Sequence, residues 1–141
     1  MNDNNSLTNN SLPILKVSET FATPEIELNI EAGIFRISGS SYPEDPVSFY
    51  EPVYNWFQNY AVKPLKKTVL HIHFKYFNTS STQIFFDIFN ILENLKREGE
   101  EVVIKWYYDS DNEEIKENGE NFSTLFSVPF EMIEVQEIVG E

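Results

Sequence analysis

The chain contains no cysteine. That removes disulfide bonds, a thiol nucleophile and any cysteine-ligated zinc site. Histidine occurs twice and glycine five times. Neither G-x-G-x-x-G nor G-x-x-x-x-G-K-[ST] occurs, so no glycine-rich phosphate cradle is available, and no G-x-S-x-G elbow is present. Basic residues are scarce as well. Ten Lys and Arg face 23 Asp and Glu, a formal charge of −13. Nucleic-acid binders concentrate cations on one face, so nucleic acid is not an expected partner. An anionic membrane surface is disfavoured for the same reason. No apolar run approaches the ~18 residues of a membrane span. The N-terminus lacks a basic segment followed by an apolar one, so no signal peptide is expected and the predicted location is cytoplasmic.

What the chain does have is apolar and aromatic: 41% hydrophobic residues, with 12 Phe and 7 Tyr among 141. That is enough for one real core. Residues 1–12 are mostly Asn, Ser, Asp and Thr and are expected to form a disordered tail. The folded domain is expected over 13–141. Ile14, Leu15 and Val17 suggest a short strand. Ile26, Leu28 and Ile30 alternate with polar residues, then Ala32-Gly33 turns, and Phe35 and Ile37 alternate again, which reads as a hairpin. Asp45 is a suitable N-cap and Pro46 a suitable first residue for a helix reaching about Ala61. Val47, Tyr50, Tyr54, Phe57 and Ala61 form its expected apolar stripe, and Pro52 should bend it. Thr68 to Tyr76 is a strand. A second helix carries Ile84, Phe85, Ile88, Leu92 and Leu95 and ends at Gly99. Glu101 to Tyr108 is the next strand. Asp109 to Asn118 reads as an acidic short helix or loop stopped by Gly119, with one more helical turn at 122–126 and a last strand over 129–139. Strands separated by helices imply parallel pairs, so the expected fold is a single α/β domain with a mixed sheet and helices packed on it.

Three constellations could carry chemistry. His71 and His73 share one face of a strand and could both reach a metal, but no third ligand is suggested, and ordinary packing under or between the helices is the simpler reading. Asp109, Asp111, Glu113 and Glu120 occupy calcium-loop positions, yet Glu114 stands where the loop needs glycine. A solvated acidic turn or a partner-facing patch accounts for that segment equally well. Asn78-Thr79-Ser80-Ser81-Thr82 places four hydroxyls between a strand and an amphipathic helix. Such residues cap helix N-termini, and a phosphate is also favoured there by outward N–H groups and the helix dipole.

Several separated motifs then stand out together: Thr23-Pro24-Glu25, Ser-Gly-Ser-Ser-Tyr-Pro-Glu at 38–44, Phe49-Tyr50 with Trp56 and Tyr60, Tyr76-Phe77-Asn78-Thr79-Ser80-Ser81, Trp106-Tyr107-Tyr108-Asp109 and Gly119-Glu120. In this order and spacing the chain resembles the SiaC family of regulatory phosphoproteins from about residue 13 onward. The resemblance implies a non-catalytic, cofactor-free signalling switch with a STAS-like fold. It implies phosphorylation by a dedicated protein kinase, dephosphorylation by a PP2C-type phosphatase, and binding and activation of a diguanylate cyclase, or another output protein, by the unphosphorylated form. Cyclic di-GMP then rises and biofilm growth or aggregation is favoured. Thr79 matches the family's phosphoacceptor. Asn78, Ser80 and Ser81 match as capping or partner-contacting neighbours, and Tyr42, Pro43 and Glu44 match a motif without an assigned role. The alternatives are a small metal-binding protein or enzyme built on His71, His73 and the acidic 109–120 segment, and a protein-binding adaptor that is never phosphorylated.

Overall fold

The computed structural model describes residues 12–136. The expected tail, apart from Leu12, and the expected strand residues 137–139 lie outside that range. Ten elements follow one another. Strands β1 (Leu15–Val17), β2 (Glu25–Asn29) and β3 (Ile34–Ser41) come first, then helix α1 (Pro46–Tyr60) and β4 (Lys67–Phe77). A 3₁₀ turn (Thr79–Ser81) leads into α2 (Thr82–Arg97), followed by β5 (Glu101–Asp109), α3 (Glu113–Ser123) and β6 (Phe130–Val135). The six strands form one mixed sheet in sequence order, antiparallel from β1 to β3 and parallel from β3 to β6.

The hairpin forms as its sequence directs. Gly33 sits at φ +69°, a left-handed conformation that side chains resist, and its N–H donates to Ile30 O at 3.0 Å. At the head of α1, Asp45 accepts from the Ser48 N–H and Pro46 occupies the first turn. The buried face of α1 is Tyr50, Val53, Trp56, Phe57 and Tyr60. That face is rotated from the expected stripe. Val47 points to solvent at 65% exposure, and the rings of Trp56 and Tyr60 reach Phe35 instead.

All three helices cover one face of the sheet. Phe35 of β3 meets Trp56 of α1 at 5.8 Å, Phe74 of β4 meets Phe85 of α2 at 5.5 Å, and Trp106 of β5 meets Phe122 of α3 at 5.9 Å, centroid to centroid. Sequential parallel strands joined by crossovers of one hand place every helix on the same side. Side chains alternate along a strand, so His71, His73, Lys105 and Tyr107 occupy the opposite face. No described helix covers that face.

Two sequence expectations are corrected here. Gly119 does not stop a helix. It lies inside α3, where an added Cβ would collide with the Trp106 indole, while the Trp106 N–H donates to Ile115 O at 2.9 Å. The glycine is a packing requirement of β5 against α3, and 113–123 is one continuous helix. The histidines, expected to pack under or between helices, instead lie half-buried on the uncovered face.

Candidate functional site

Three loops leave the carboxyl ends of the parallel strands on the same side of the sheet, as ligand and partner sites do in open α/β folds. The loop after β3 carries Tyr42, Pro43 and Glu44. The loop after β4 carries Asn78 and Thr79. The loop after β5 carries Asn112. Hydrogen bonds tie them together. The Asn78 N–H donates to Ser41 O at 2.8 Å, and the Asn112 side chain donates to Lys75 O at 3.1 Å. Below them the Ser41 hydroxyl bonds the Tyr50 hydroxyl at 2.6 Å. Burial pushes Tyr50 far above its ordinary range despite that bond, so it stays neutral.

The Asn78–Thr82 segment divides its labour. Asn78 caps the 3₁₀ turn by accepting from the Ser80 N–H at 2.9 Å. Thr79 and Ser80 are both exposed to solvent. Ser81 is sealed from solvent at 0%, and its hydroxyl has no hydrogen-bond partner. It makes no cap bond to α2 and presents nothing to a partner, so neither role suggested for it by its neighbours is seen. Thr79 itself stands at the head of the turn that feeds α2, and among the described residues none hydrogen-bonds its hydroxyl.

Thr79 also lines a groove of about 210 Å³ between this turn and α3. Phe77, Phe122 and Leu125 make its apolar walls, and Thr82, Asn118 and Asn121 complete the rim. The contribution of α3 was not legible in the sequence, where 109–118 reads as an acidic short helix or loop stopped by Gly119 and 122–126 as a separate helical turn. Asn118, Asn121 and Phe122 do carry the signal, since spacings of three and four from Asn118 place them along one side of a helix. At the ends of β3 and β4, Tyr76 and Tyr42 meet edge to face at 5.4 Å, and Phe21 meets Tyr42 at 6.2 Å. Pro43 is half-buried and Glu44 is exposed beside them.

The histidine pair is a separate feature. His71 Nδ1 lies 2.9 Å from the Tyr107 hydroxyl, and His73 Nε2 lies 3.0 Å from Asp109 Oδ1. Burial, then Lys105 and Arg36, hold His71 below the ordinary imidazole value. Each ring is thus engaged by its own partner from β5. Among the described residues, no three His, Asp or Glu side chains converge as a metal site. Of the acidic 109–120 segment, Asp109 alone is hydrogen-bonded to a histidine.

Known proteins share this fold. The family model for the SiaC family regulatory phosphoprotein matches residues 17–135. The chain belongs to the SiaC family. A curated but uncharacterized protein of Pseudomonas aeruginosa is 32% identical over 116 residues, covering 82% of this chain and 92% of that protein. The solved structure of SiaC of Pseudomonas aeruginosa superposes with a TM-score of 0.80 at 28% identity, covering 88% of this chain and 100% of that one. A crystal structure of the diguanylate cyclase SiaD in complex with its activator SiaC, also from Pseudomonas aeruginosa, gives a TM-score of 0.80 at 30% identity, covering 86% of this chain and 99% of that one. The single α/β domain with its mixed sheet is therefore the SiaC fold. No described helix is long and apolar enough to cross a membrane.

Proposed function

We propose that this protein is a non-catalytic, cytoplasmic switch whose unphosphorylated form binds and activates a diguanylate cyclase, and that Thr79 is its phosphoacceptor. A protein kinase transfers the γ-phosphoryl group of a nucleoside triphosphate to Thr79 Oγ1. The bridging P–O bond breaks, the diphosphate leaves and the threonine proton is lost to a base. A PP2C-type phosphatase returns the hydroxyl by hydrolysis. Cyclic di-GMP output, and with it biofilm growth, follows the unphosphorylated fraction.

The observation that carries this reading is the state of Thr79. No described residue hydrogen-bonds its hydroxyl, which stands at the head of a capped turn beside an open groove, in a stretch (77–83) without a single charged side chain. Phosphorylation adds about −1.5 to −2 charge and three acceptor oxygens there. The backbone bonds of the turn involve Asn78 and Thr79 carbonyls, not the Thr79 hydroxyl, so the domain keeps its fold while this surface changes character. SiaC family membership, and the structural likeness to an activator bound to the diguanylate cyclase SiaD, support the cyclase as output partner. The kinase and the phosphatase rest on the family resemblance.

The test is direct. The cognate kinase with ATP should add one phosphate to the intact protein, and fragmentation should place it on Thr79. The Thr79→Ala variant should gain none. Full phosphorylation of Thr79→Ala would show that the acceptor lies elsewhere.

A further inference from the structure

We propose that the uncovered face of the sheet binds a small organic anion, with its oxyanion head on Arg36 and His71 and its apolar body against Ile34 and Tyr107. The head group is a carboxylate or a phosphate monoester. The site lies on the face opposite the helices, and its existence does not depend on the role of Thr79.

The first support is a cavity. A space of about 340 Å³, larger than the groove beside Thr79, is lined by Ile34, Arg36, Ser38, His71, His73 and Tyr107. Small-molecule sites combine an apolar wall with a few placed polar groups. Ile34 and Tyr107 supply the wall here. The Tyr107 ring lies 5.9 Å from the His71 ring and 6.0 Å from the His73 ring, so the three form one panel. Strand register sets Arg36 beside His71 and Ser38 beside His73 across from it. The regular face stops after His73. Gly39 pairs with Phe74, but the next residue, Ser40, pairs with Tyr76, so Lys75 is an extra residue that bulges β4.

The second support is the sign of the charge. One row runs straight across the sheet, each residue in register with the next: Lys16, Glu27, Arg36, His71, Lys105, Glu131. Its ends alternate in sign, but its middle does not. Arg36, His71 and Lys105 are consecutive, with no carboxylate between them. Glu27 holds Arg36 Nη2 at 2.8 Å from the outer side, and Glu131 lies 3.9 Å from Lys105 on the other. Asp109 of a neighbouring row is taken by His73 at 3.0 Å. In a chain of −13 this is a local reversal. After burial, the two cations are what hold His71 below its ordinary value, which reports a positive field at the ring.

The third support concerns the occupant. His71 Nδ1 is engaged by Tyr107, and no described residue bonds its Nε2. Arg36 gives one nitrogen to Glu27 and keeps others of its planar fork for an oxyanion. A head group between them relieves the repulsion among the three cationic positions. A metal ion at the two histidines would instead face Arg36 and Lys105. An inorganic anion leaves most of the cavity and its apolar wall unfilled, so the ligand carries an organic body.

The experiment titrates the full chain with four probes, benzoate, phenyl phosphate, benzyl alcohol and inorganic phosphate, and follows assigned amide resonances by NMR. The chains are wild type, Arg36→Gln, His71→Gln and Val62→Asp, the last a control at an exposed site outside the cavity. Circular dichroism checks folding. If Arg36→Gln unfolds because Glu27 loses its partner, His71→Gln decides. Benzoate or phenyl phosphate should bind saturably and shift amides of residues 34–38, 71–73 and 105–107. The tighter of the two identifies the head group. Benzyl alcohol and inorganic phosphate should each bind at least about tenfold more weakly, a change of ~1.4 kcal/mol. Each folded site variant should weaken the organic anion by a similar factor, and Val62→Asp should match wild type. Equal binding of benzyl alcohol would reduce the site to an apolar hollow and overturn the proposal. Equal binding of inorganic phosphate would reduce it to a counter-ion site and overturn it as well. Unchanged affinity in the folded site variants, shifts confined to other residues, or no saturable binding of either organic anion would also overturn it.

Discussion

The backbone N–H of Asn78 donates to the carbonyl of Ser41 at 2.8 Å, joining the residue just beyond β4 to the last residue of β3. This bond ties the Thr79 turn to the loop that carries Tyr42. Asn78 adds its side-chain cap on Ser80 from the same position. An Asn78→Ala variant keeps the backbone bond and loses the cap. It should be destabilised by about 1 kcal/mol, read as a lowered urea midpoint with unchanged slope, and should be phosphorylated less selectively because Thr79 is held less firmly.

Ser81 supports a prediction of opposite sign. Its hydroxyl is buried without a partner, a situation that costs free energy. Ser81→Ala removes the unsatisfied group at nearly the same volume. Its melting temperature should be equal to or above that of wild type, and its phosphate gain should be unchanged. A marked fall in melting temperature would show that the hydroxyl has a partner after all.

Glu93 ties α2 to the segment entering β6. Its carboxylate accepts from Ser127 N at 2.9 Å, Ser127 Oγ at 2.6 Å and Val128 N at 3.1 Å, with Arg97 at 3.9 Å. Burial raises its pKa, but the bonds from Ser127 and Val128 and the Arg97 charge outweigh that and hold it below the ordinary 4.5. A depressed carboxylate stabilises the fold above the unfolded value, and that contribution disappears as pH falls through the folded value. Stability should therefore decline below about pH 4.5 more steeply in wild type than in Glu93→Gln. At neutral pH Glu93→Gln should cost about 1–3 kcal/mol, because the backbone N–H groups of Ser127 and Val128 both lose an anionic acceptor. Denaturant titrations at pH 4 and 7 measure both.

Gly119 has no room for a side chain against the Trp106 ring. Gly119→Ala should destabilise by about 1–3 kcal/mol through overpacking, although alanine is the better helix former. Tryptophan fluorescence should shift as α3 is displaced. A stabilised variant would mean that helix propensity outweighs the close approach.

Much of this architecture is legible in the chain itself. The hairpin at Gly33, the Asp45-Pro46 helix start and the strand–helix alternation that forces parallel pairing depend on local residues and short-range geometry. What was not legible depends on distant partners. Gly119 reads locally as a stop, and the Trp106 ring that requires it lies on another element. His71 and His73 visibly share a face, but which face the helices cover is decided by crossover handedness. The bulge at Lys75 hides inside a run that alternates well enough without it. Thr79, the proposed acceptor, was singled out by its motif. The groove beside it was not, because half of it comes from one continuous helix whose sequence reads as two pieces broken at Gly119.

The central claim is that phosphorylation of Thr79 switches off a diguanylate cyclase activator. The most direct measurement is cyclic di-GMP production by the purified cognate cyclase, titrated with this protein either unmodified or fully phosphorylated on Thr79 as verified by intact mass. The unmodified chain and Thr79→Ala should raise the rate to the same plateau. The phosphorylated chain and Thr79→Glu should leave it near the basal rate, and PP2C-type phosphatase treatment should restore activation. Equal activation by the phosphorylated and unmodified chains would contradict the account.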